Sequence, residues 1–210
     1  MRLRRMPEAK DIISSSPLVL TEKERYPGSW REYLSIPPGG VLNLEIGMGR
    51  GKFITEACFK YPDQAWIGLE IREEMIMMSL NRLCGKIPEN LRFLWLDAAL
   101  LSEIFSPGEI DNIFLPFSDP WPKARHAKRR LTHDNFLKIY DNILSPNGKI
   151  IYKTDNRDFF FWSKEKFLLN DWHIITESQD LPLLTEDIIS EYEARYRRQG
   201  MPIYQLILKK

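Results

Sequence analysis

The feature that most constrains this chain is a rhythm of short apolar runs, each closed by a glycine turn or a carboxylate and followed by a helical pattern. Residues 41–46 (Val-Leu-Asn-Leu-Glu-Ile) read as a strand, and Gly47-Met48-Gly49-Arg50-Gly51 as a turn. Residues 52–60 then read as a helix with Phe53, Ile54, Ala57 and Cys58 on one face. Further strands are predicted at 65–70, 91–96, 111–117, 149–154, 172–176 and 202–208. Helices are predicted at 73–84, after a cap at Thr132, at 158–169 and from about 185 to 199. Met75, Met77 and Met78 fit helix packing, and Ser145-Pro146-Asn147-Gly148 fits a turn, since proline fixes φ and Asn-Gly tolerates positive φ. Alternating strands and helices imply an α/β fold with a mainly parallel, seven-stranded sheet and helices on both faces.

The length of 210 residues suits one such domain. It is expected to span 36–210, behind a partly irregular arm at 1–35 that carries Pro7, Pro17 and Pro27. Thirty Lys+Arg against 29 Asp+Glu leave a net charge of +1, which by itself gives no reason to expect a polyanionic partner. The basic start lacks a following apolar segment, and no apolar cluster approaches the roughly 20 residues a bilayer requires. Cys58 and Cys84 have neither disulfide-scaffold nor metal-ligand spacing. These features fit a cytoplasmic protein, with no membrane association and no metal.

Chemistry in an open α/β sheet gathers beyond the carboxyl ends of the strands. The first turn lacks the dinucleotide spacing, because its third glycine falls one position early, and it lacks the Gly-Lys-Ser/Thr of a P-loop. An acid two residues before Gly47, Gly49 and Gly51 resembles instead the cofactor loop of S-adenosylmethionine-dependent methyltransferases, where Glu45 can help hold an ammonium group. Glu70 closes the second strand, where an acid can accept both ribose hydroxyls, and Asp97 closes the third, where it can accept from an adenine amino group. Three acids behind successive strands favour a bound adenosyl group over isolated solvated caps.

The fourth strand runs into Phe117-Ser118-Asp119-Pro120-Trp121-Pro122-Lys123, in which two prolines fix the backbone around Trp121. Five of the eight residues from 123 to 130 are basic and none is acidic, which beside a candidate active site reads as a phosphate-binding edge. Arg2, Arg4 and Arg5 could extend it. Asp-Pro-Trp-Pro-Lys followed by Arg125-His126 and Lys128-Arg129-Arg130-Leu131 resembles the signature of bacterial tRNA (guanine-N7-)-methyltransferases. So do Lys153-Thr154-Asp155 and Ser190-Glu191-Tyr192-Glu193 with Arg195 and Tyr196. Ser118, Ala124 and Ser190 depart from the residues usual there.

That resemblance implies a Rossmann-like methyltransferase sheet, S-adenosylmethionine as donor, and the variable-loop guanosine at position 46 of tRNA as acceptor. It implies Glu45, Glu70, Asp97 and Asp119 around the cofactor, Asp119 as catalytic residue, Lys123 and Asp155 on substrate, Arg125, His126, Lys128, Arg129 and Arg130 on RNA, and Ser190 to Glu193 closing over the nucleotide. No obligate protein partner is expected, and the chain would act as a monomer or homodimer. Guanine N7 carries a lone pair and no proton, so this chemistry needs neither a general base nor a metal. Two other readings stand beside it: a non-catalytic RNA-binding subunit, which would have eroded the loop or acids, and a nicotinamide-dependent oxidoreductase, opposed by the glycine spacing and the basic stretch.

Overall fold

The computed structural model describes residues 6–21, 26–184 and 187–210. Among them the chain forms eight strands: β1 (Val19–Leu20), β2 (Leu42–Ile46), β3 (Ala65–Glu70), β4 (Leu91–Trp95), β5 (Ile110–Pro116), β6 (Leu144–Thr154), β7 (His173–Ser178) and β8 (Tyr204–Lys209). The α-helices are α1 (Ala9–Ser15), α2 (Trp30–Tyr33), α3 (Lys52–Lys60), α4 (Glu73–Arg82), α5 (Leu101–Ile104), α6 (Asp134–Ile143), α7 (Arg157–Leu169) and α8 (Glu191–Arg198). One sheet runs in the order β1-β4-β3-β2-β5-β6-β8-β7, parallel throughout except that β8 lies antiparallel to both neighbours. The chain winds outward from β2 to β4, then from β5 to β6 in the other direction, so the strand order reverses between β2 and β5. A ligand crevice belongs at that reversal.

Period-two side chains divide the core into two layers. Leu42, Leu44, Ile113, Leu115, Ile150 and Tyr152 face α6 and α7, which bury Leu137, Tyr140, Ile143, Phe160 and Phe167 against them. The opposite face takes Trp66 and Phe93 beneath Ile54 and Ala57 of α3 and Ile76 and Met77 of α4. Helices on both faces explain why β2 and β3 are buried end to end.

The sheet has one strand more than the seven expected. Val19 and Leu20 pair with Phe93 and Leu94 at the edge, a two-residue strand too short to show a period of its own. The segment expected to be irregular also carries α1 and α2, and Glu109 fastens the latter by accepting from the backbone N–H groups of Gly28 and Trp30, both at 3.0 Å. Thr132 does not cap α6; it is buried against the Ser163 hydroxyl at 2.8 Å, and the His133 ring accepts from Asn135 N–H instead. The turn at Ser145–Gly148 sits inside β6 as a bulge, since Ile110 pairs with Leu144 but Asn112 with Lys149. Helix α4 stops at Arg82, before Cys84, which takes φ of 51°. The last helix begins at Glu191 rather than near 185; residues 185 and 186, like Arg2, Arg4 and Arg5, lie outside the described residues.

Candidate active site

The glycine loop leaves β2 and folds back over β3, where Gly47 and Met48 donate to the Leu69 carbonyl at 2.8 and 3.1 Å. Gly47 and Gly49 adopt φ of 75° and 55°, a region that strains any residue with a Cβ. Gly51 has a different task. A Cβ there would stand 2.4 Å from Ser79 Oγ, so this glycine lets α3 pack against α4 and does not line the cavity.

Glu70 stitches the loop to β3. Its carboxylate accepts from Gly49 N–H at 3.1 Å and from Ile71 and Arg72 N–H at 2.9 and 3.1 Å. Burial raises its pKa, and these backbone donors pull it partly back. Glu45 lies on the alternate face of β2, only 1% exposed, with Oε2 unpartnered among the described residues. Burial, reinforced by the nearby Glu70 carboxylate, pushes its pKa well up. A buried carboxyl beside a second acid, with an unused acceptor, is electrostatically suited to a cation. Asp97 is exposed just beyond the carboxyl end of β4 and caps the short turn of helix that follows by accepting from Ala99 N–H at 2.8 Å.

The Asp119 loop is pinned at both ends. Phe117 and Trp121 have φ of 52° and 40°, uncommon for residues with side chains and costing on the order of 1–3 kcal/mol each. Phe117 N–H donates to Lys153 O at 2.8 Å, and the Phe117 ring lies 5.8 Å from that of Tyr196. Arg130 Nη2 donates to Trp121 O at 3.0 Å while its guanidinium lies 4.2 Å from the Trp162 ring. Arg130 thus turns inward, where burial lowers its pKa and it props the loop, while Lys128 and Arg129 of the same basic run stay exposed. Arg129 covers the Trp121 ring at 5.0 Å, and His126 meets the ring edge-on at 5.7 Å. Lys123 and Arg125 point outward, Arg125 toward His126 at 3.3 Å.

These elements enclose a cavity of about 840 Å³ at the strand-order reversal. Gly47, Gly49, Glu70, Asp97 and Asp119 line one part of it; Trp121, Lys128, Arg129, Asp155, Tyr192 and Tyr196 line the rest. Met75 also reaches its wall, beyond the packing role expected for it. Burial raises the Asp155 pKa, opposed by a hydrogen bond from the Tyr196 hydroxyl and by Arg195.

Helix α8 roofs the cavity through ionic contacts. Glu193, 2% exposed, accepts from Arg197 at 2.7 and 3.0 Å and from Lys153 at 3.1 Å. Glu191 pairs with Arg82 and, at 3.6 Å, with Arg50 of the glycine loop, while Lys52 holds Ile189 O at 2.8 Å. Ser190 caps the helix by accepting from Glu193 N–H at 3.1 Å. Ser190, Glu191 and Glu193 therefore place the helix, and it is Tyr192 and Tyr196 that face the cavity. Of the partners in these contacts, Arg82 and Arg197 belong to no motif, although the i,i+4 spacing of Glu193 and Arg197 carries a signal; Arg50 and Lys153 stand in the glycine turn and the Lys153-Thr154-Asp155 motif, neither of which announces this role.

Among the described residues no helix is long and apolar enough to cross a membrane, and no cluster of metal-ligating side chains occurs. The sheet order, with its one antiparallel strand inserted near the edge, and the loop-lined cavity at the reversal define a Rossmann-like methyltransferase fold. A solved antibiotic-related methyltransferase shares it with a TM-score of 0.66 at 13% identity, over 89% of this chain and 94% of that one. Residues 40–206 match the family described as a putative methyltransferase. A tRNA (guanine-N(7)-)-methyltransferase of Lachnoclostridium phytofermentans is 38% identical over 99% of this chain and 97% of its own length. One from Geobacillus kaustophilus is 40% identical over 98% and 95%. The chain belongs to the tRNA (guanine-N(7)-)-methyltransferase family.

Proposed function

We propose that this chain methylates N7 of the variable-loop guanosine at position 46 of tRNA, using S-adenosylmethionine, in the cytoplasm. The observation that carries the reading is the placement of Asp119: an exposed carboxylate on a doubly strained, pinned loop, in one cavity with the glycine turn, Glu70 and Asp97. The residues fit the donor. Glu70 and Asp97 offer acceptors for ribose and adenine in the cavity wall, and Gly47 and Gly49 bring backbone to it; Glu45 does not line the cavity but lies buried beneath the loop, where its unused acceptor adds negative charge favourable to an ammonium group. When bound, S-adenosylmethionine supplies an electrophilic methyl group.

The protein's own contribution is positioning and charge. N7 brings its own lone pair, so no residue removes a proton. Holding the guanine in near-attack geometry lowers the barrier by pre-ordering the reactants. Positive charge develops on the purine during transfer, and the fixed Asp119 carboxylate stabilises it as it forms. Tyr192 and Tyr196 close the cavity from α8, excluding water, and Asp155 offers an acceptor to the guanine edge. Lys128 and Arg129, exposed at the cavity rim, meet the phosphates, with Lys123 and Arg125 further along the same edge.

The test is Asp119→Ala. Its tRNA affinity is expected within about threefold of the parent, while single-turnover methylation slows by roughly 10²–10³, as for loss of one preorganised electrostatic group. Near-normal single-turnover transfer would overturn the assignment.

A further inference from the structure

A second cavity, about 460 Å³, lies on the α3 side of the sheet and shares no lining residue with the first. Strand register builds it. Trp66, Asn43 and Asn112 stand side by side across β3, β2 and β5, and Phe114 pairs with Ile151 across the β5–β6 ladder. Four aromatic rings form one wall. Phe53 and Phe114 lie 5.9 and 5.6 Å from Trp66, and Tyr61 stacks beside it at 6.3 Å.

Beneath that wall runs a chain of amides, unusual inside an otherwise apolar sheet. Asn112 Nδ2 donates to Asn43 Oδ1 at 2.9 Å, and Asn43 Nδ2 donates to Gln64 Oε1 at 3.0 Å and to Ala65 O at 3.2 Å. Asn43 is thereby saturated, and it fixes the orientation of both neighbours. Gln64 Nε2 is left as a donor and Asn112 Oδ1 as an acceptor, neither with a partner among the described residues. Trp66 is only 3% exposed, and its unpartnered Nε1 is buried behind the wall and not open to the cavity. Polar groups in a cavity wall normally find partners, so the free Gln64 donor and Asn112 acceptor mark a place where a matching ligand edge would be favoured. The cations nearby are engaged, Lys153 being paired with buried Glu193 at 3.1 Å, so the cavity offers little to a phosphate.

We infer that this second cavity is a binding site for a neutral planar heterocycle of the nucleobase or nucleoside class, seated against the aromatic wall of Phe53, Tyr61, Trp66 and Phe114 and read by Gln64 and Asn112. Side-chain amides present the paired donor and acceptor that base edges match, and aromatic faces accept any base by stacking. Helix α8 and its cap stand between the two cavities, with Ser190 and Glu193 lining one and Tyr192 and Tyr196 the other.

Indole N–H resonances of the ¹⁵N-labelled full chain test it, with the six tryptophans distinguished by Trp66→Phe and Trp121→Phe. In saturating S-adenosylhomocysteine, titration with adenosine, guanosine, cytidine and uridine is expected to move the Trp66 signal saturably with at least one of them. Ribose should leave it in place. Asn112→Leu should weaken the response at least tenfold, and Gln64→Leu, at a half-buried position on the rim, provides the same reading if the first variant does not fold. Failure of every nucleoside to move the Trp66 signal, or an undiminished response in a folded variant, would overturn the site. Movement confined to Trp121 would do so too, since that residue reports the first cavity. Repeating the titration with tRNA separates the sources: a matching Trp66 shift supports the site as a receptor for an RNA base, and a shift with nucleoside alone supports it as a receptor for the free ligand.

Discussion

Glu193→Gln tests whether α8 is held down by charge. The helix buries no apolar side chain, and Glu193 is its one buried residue. Its carboxylate takes three charge-assisted hydrogen bonds: one at 3.1 Å from Lys153 of β6, which docks the helix, and two at 2.7 and 3.0 Å from Arg197 within α8, which stiffen the helix itself. Such bonds contribute about 1.5–3 kcal/mol each against 0.5–1.5 for neutral ones, so replacing the charge by an amide forfeits on the order of 1 kcal/mol at each contact. The glutamine retains one acceptor, and Lys153 and Arg197, each 17% exposed, recover part of their hydration, which trims a nominal 3 kcal/mol to roughly 2. Because the loss falls on a helix anchored by few other contacts, it should appear as local opening. Native-state hydrogen exchange is expected to show α8 amides about 30-fold less protected, with the central strands unchanged, and kcat/KM falling alongside. Unchanged α8 protection in the variant would refute ionic docking of the roof.

Two further outcomes follow from the buried charges and the basic edge. Burial and Glu70 raise the Glu45 pKa well above 4.5, so the folded state binds this proton more tightly than the unfolded chain. That contribution to stability is fully present at low pH and is lost as pH rises from about 4.5 through the raised value. Glu45→Gln should therefore stabilise the ligand-free protein increasingly as pH rises from about 4.5 to the raised value in urea unfolding, by about 1.4 kcal/mol for each tenfold difference in proton affinity, while weakening S-adenosylmethionine binding; a stability difference independent of pH would contradict it. Lys128→Ala should lower the salt slope of tRNA binding by about 1, whereas Arg130→Ala should mainly cost stability, roughly 1–3 kcal/mol, because its guanidinium props Trp121 from within. Equal salt slopes for the two variants would show that Arg130 faces RNA after all.

What could be read from the chain depended on range. The strands β2 to β5 and the glycine turn declared themselves because each is long enough to show its own pattern, and their ends moved by at most one residue; β6 starts at Leu144 and not at 149, because it takes in the Ser145–Gly148 turn as a bulge. Val19–Leu20 could not, since two residues become a strand only through Phe93 and Leu94. Thr132 looked like a cap by type, but the Ser163 hydroxyl, 31 residues away in sequence, claimed it. The same limit governed the site. Residue types identified Glu70, Asp97, Asp119, Lys128 and Arg129 as candidates, and they do gather around one cavity. Which basic side chain turns inward was decided by Trp162, and which residues of the Ser190–Glu193 motif face the cavity was decided by Lys153 and Arg82. The net charge of +1 concealed both arrangements, being a sum over acids at strand ends and a basic edge.

The most direct measurement is incubation of the purified chain with S-adenosylmethionine and unmodified tRNA, followed by digestion and mapping of the methylated nucleoside. The account requires 7-methylguanosine at the variable-loop position, lost in Asp119→Ala. Methyl transfer to another atom or another nucleoside, or no transfer by a chain that binds both partners, would contradict it.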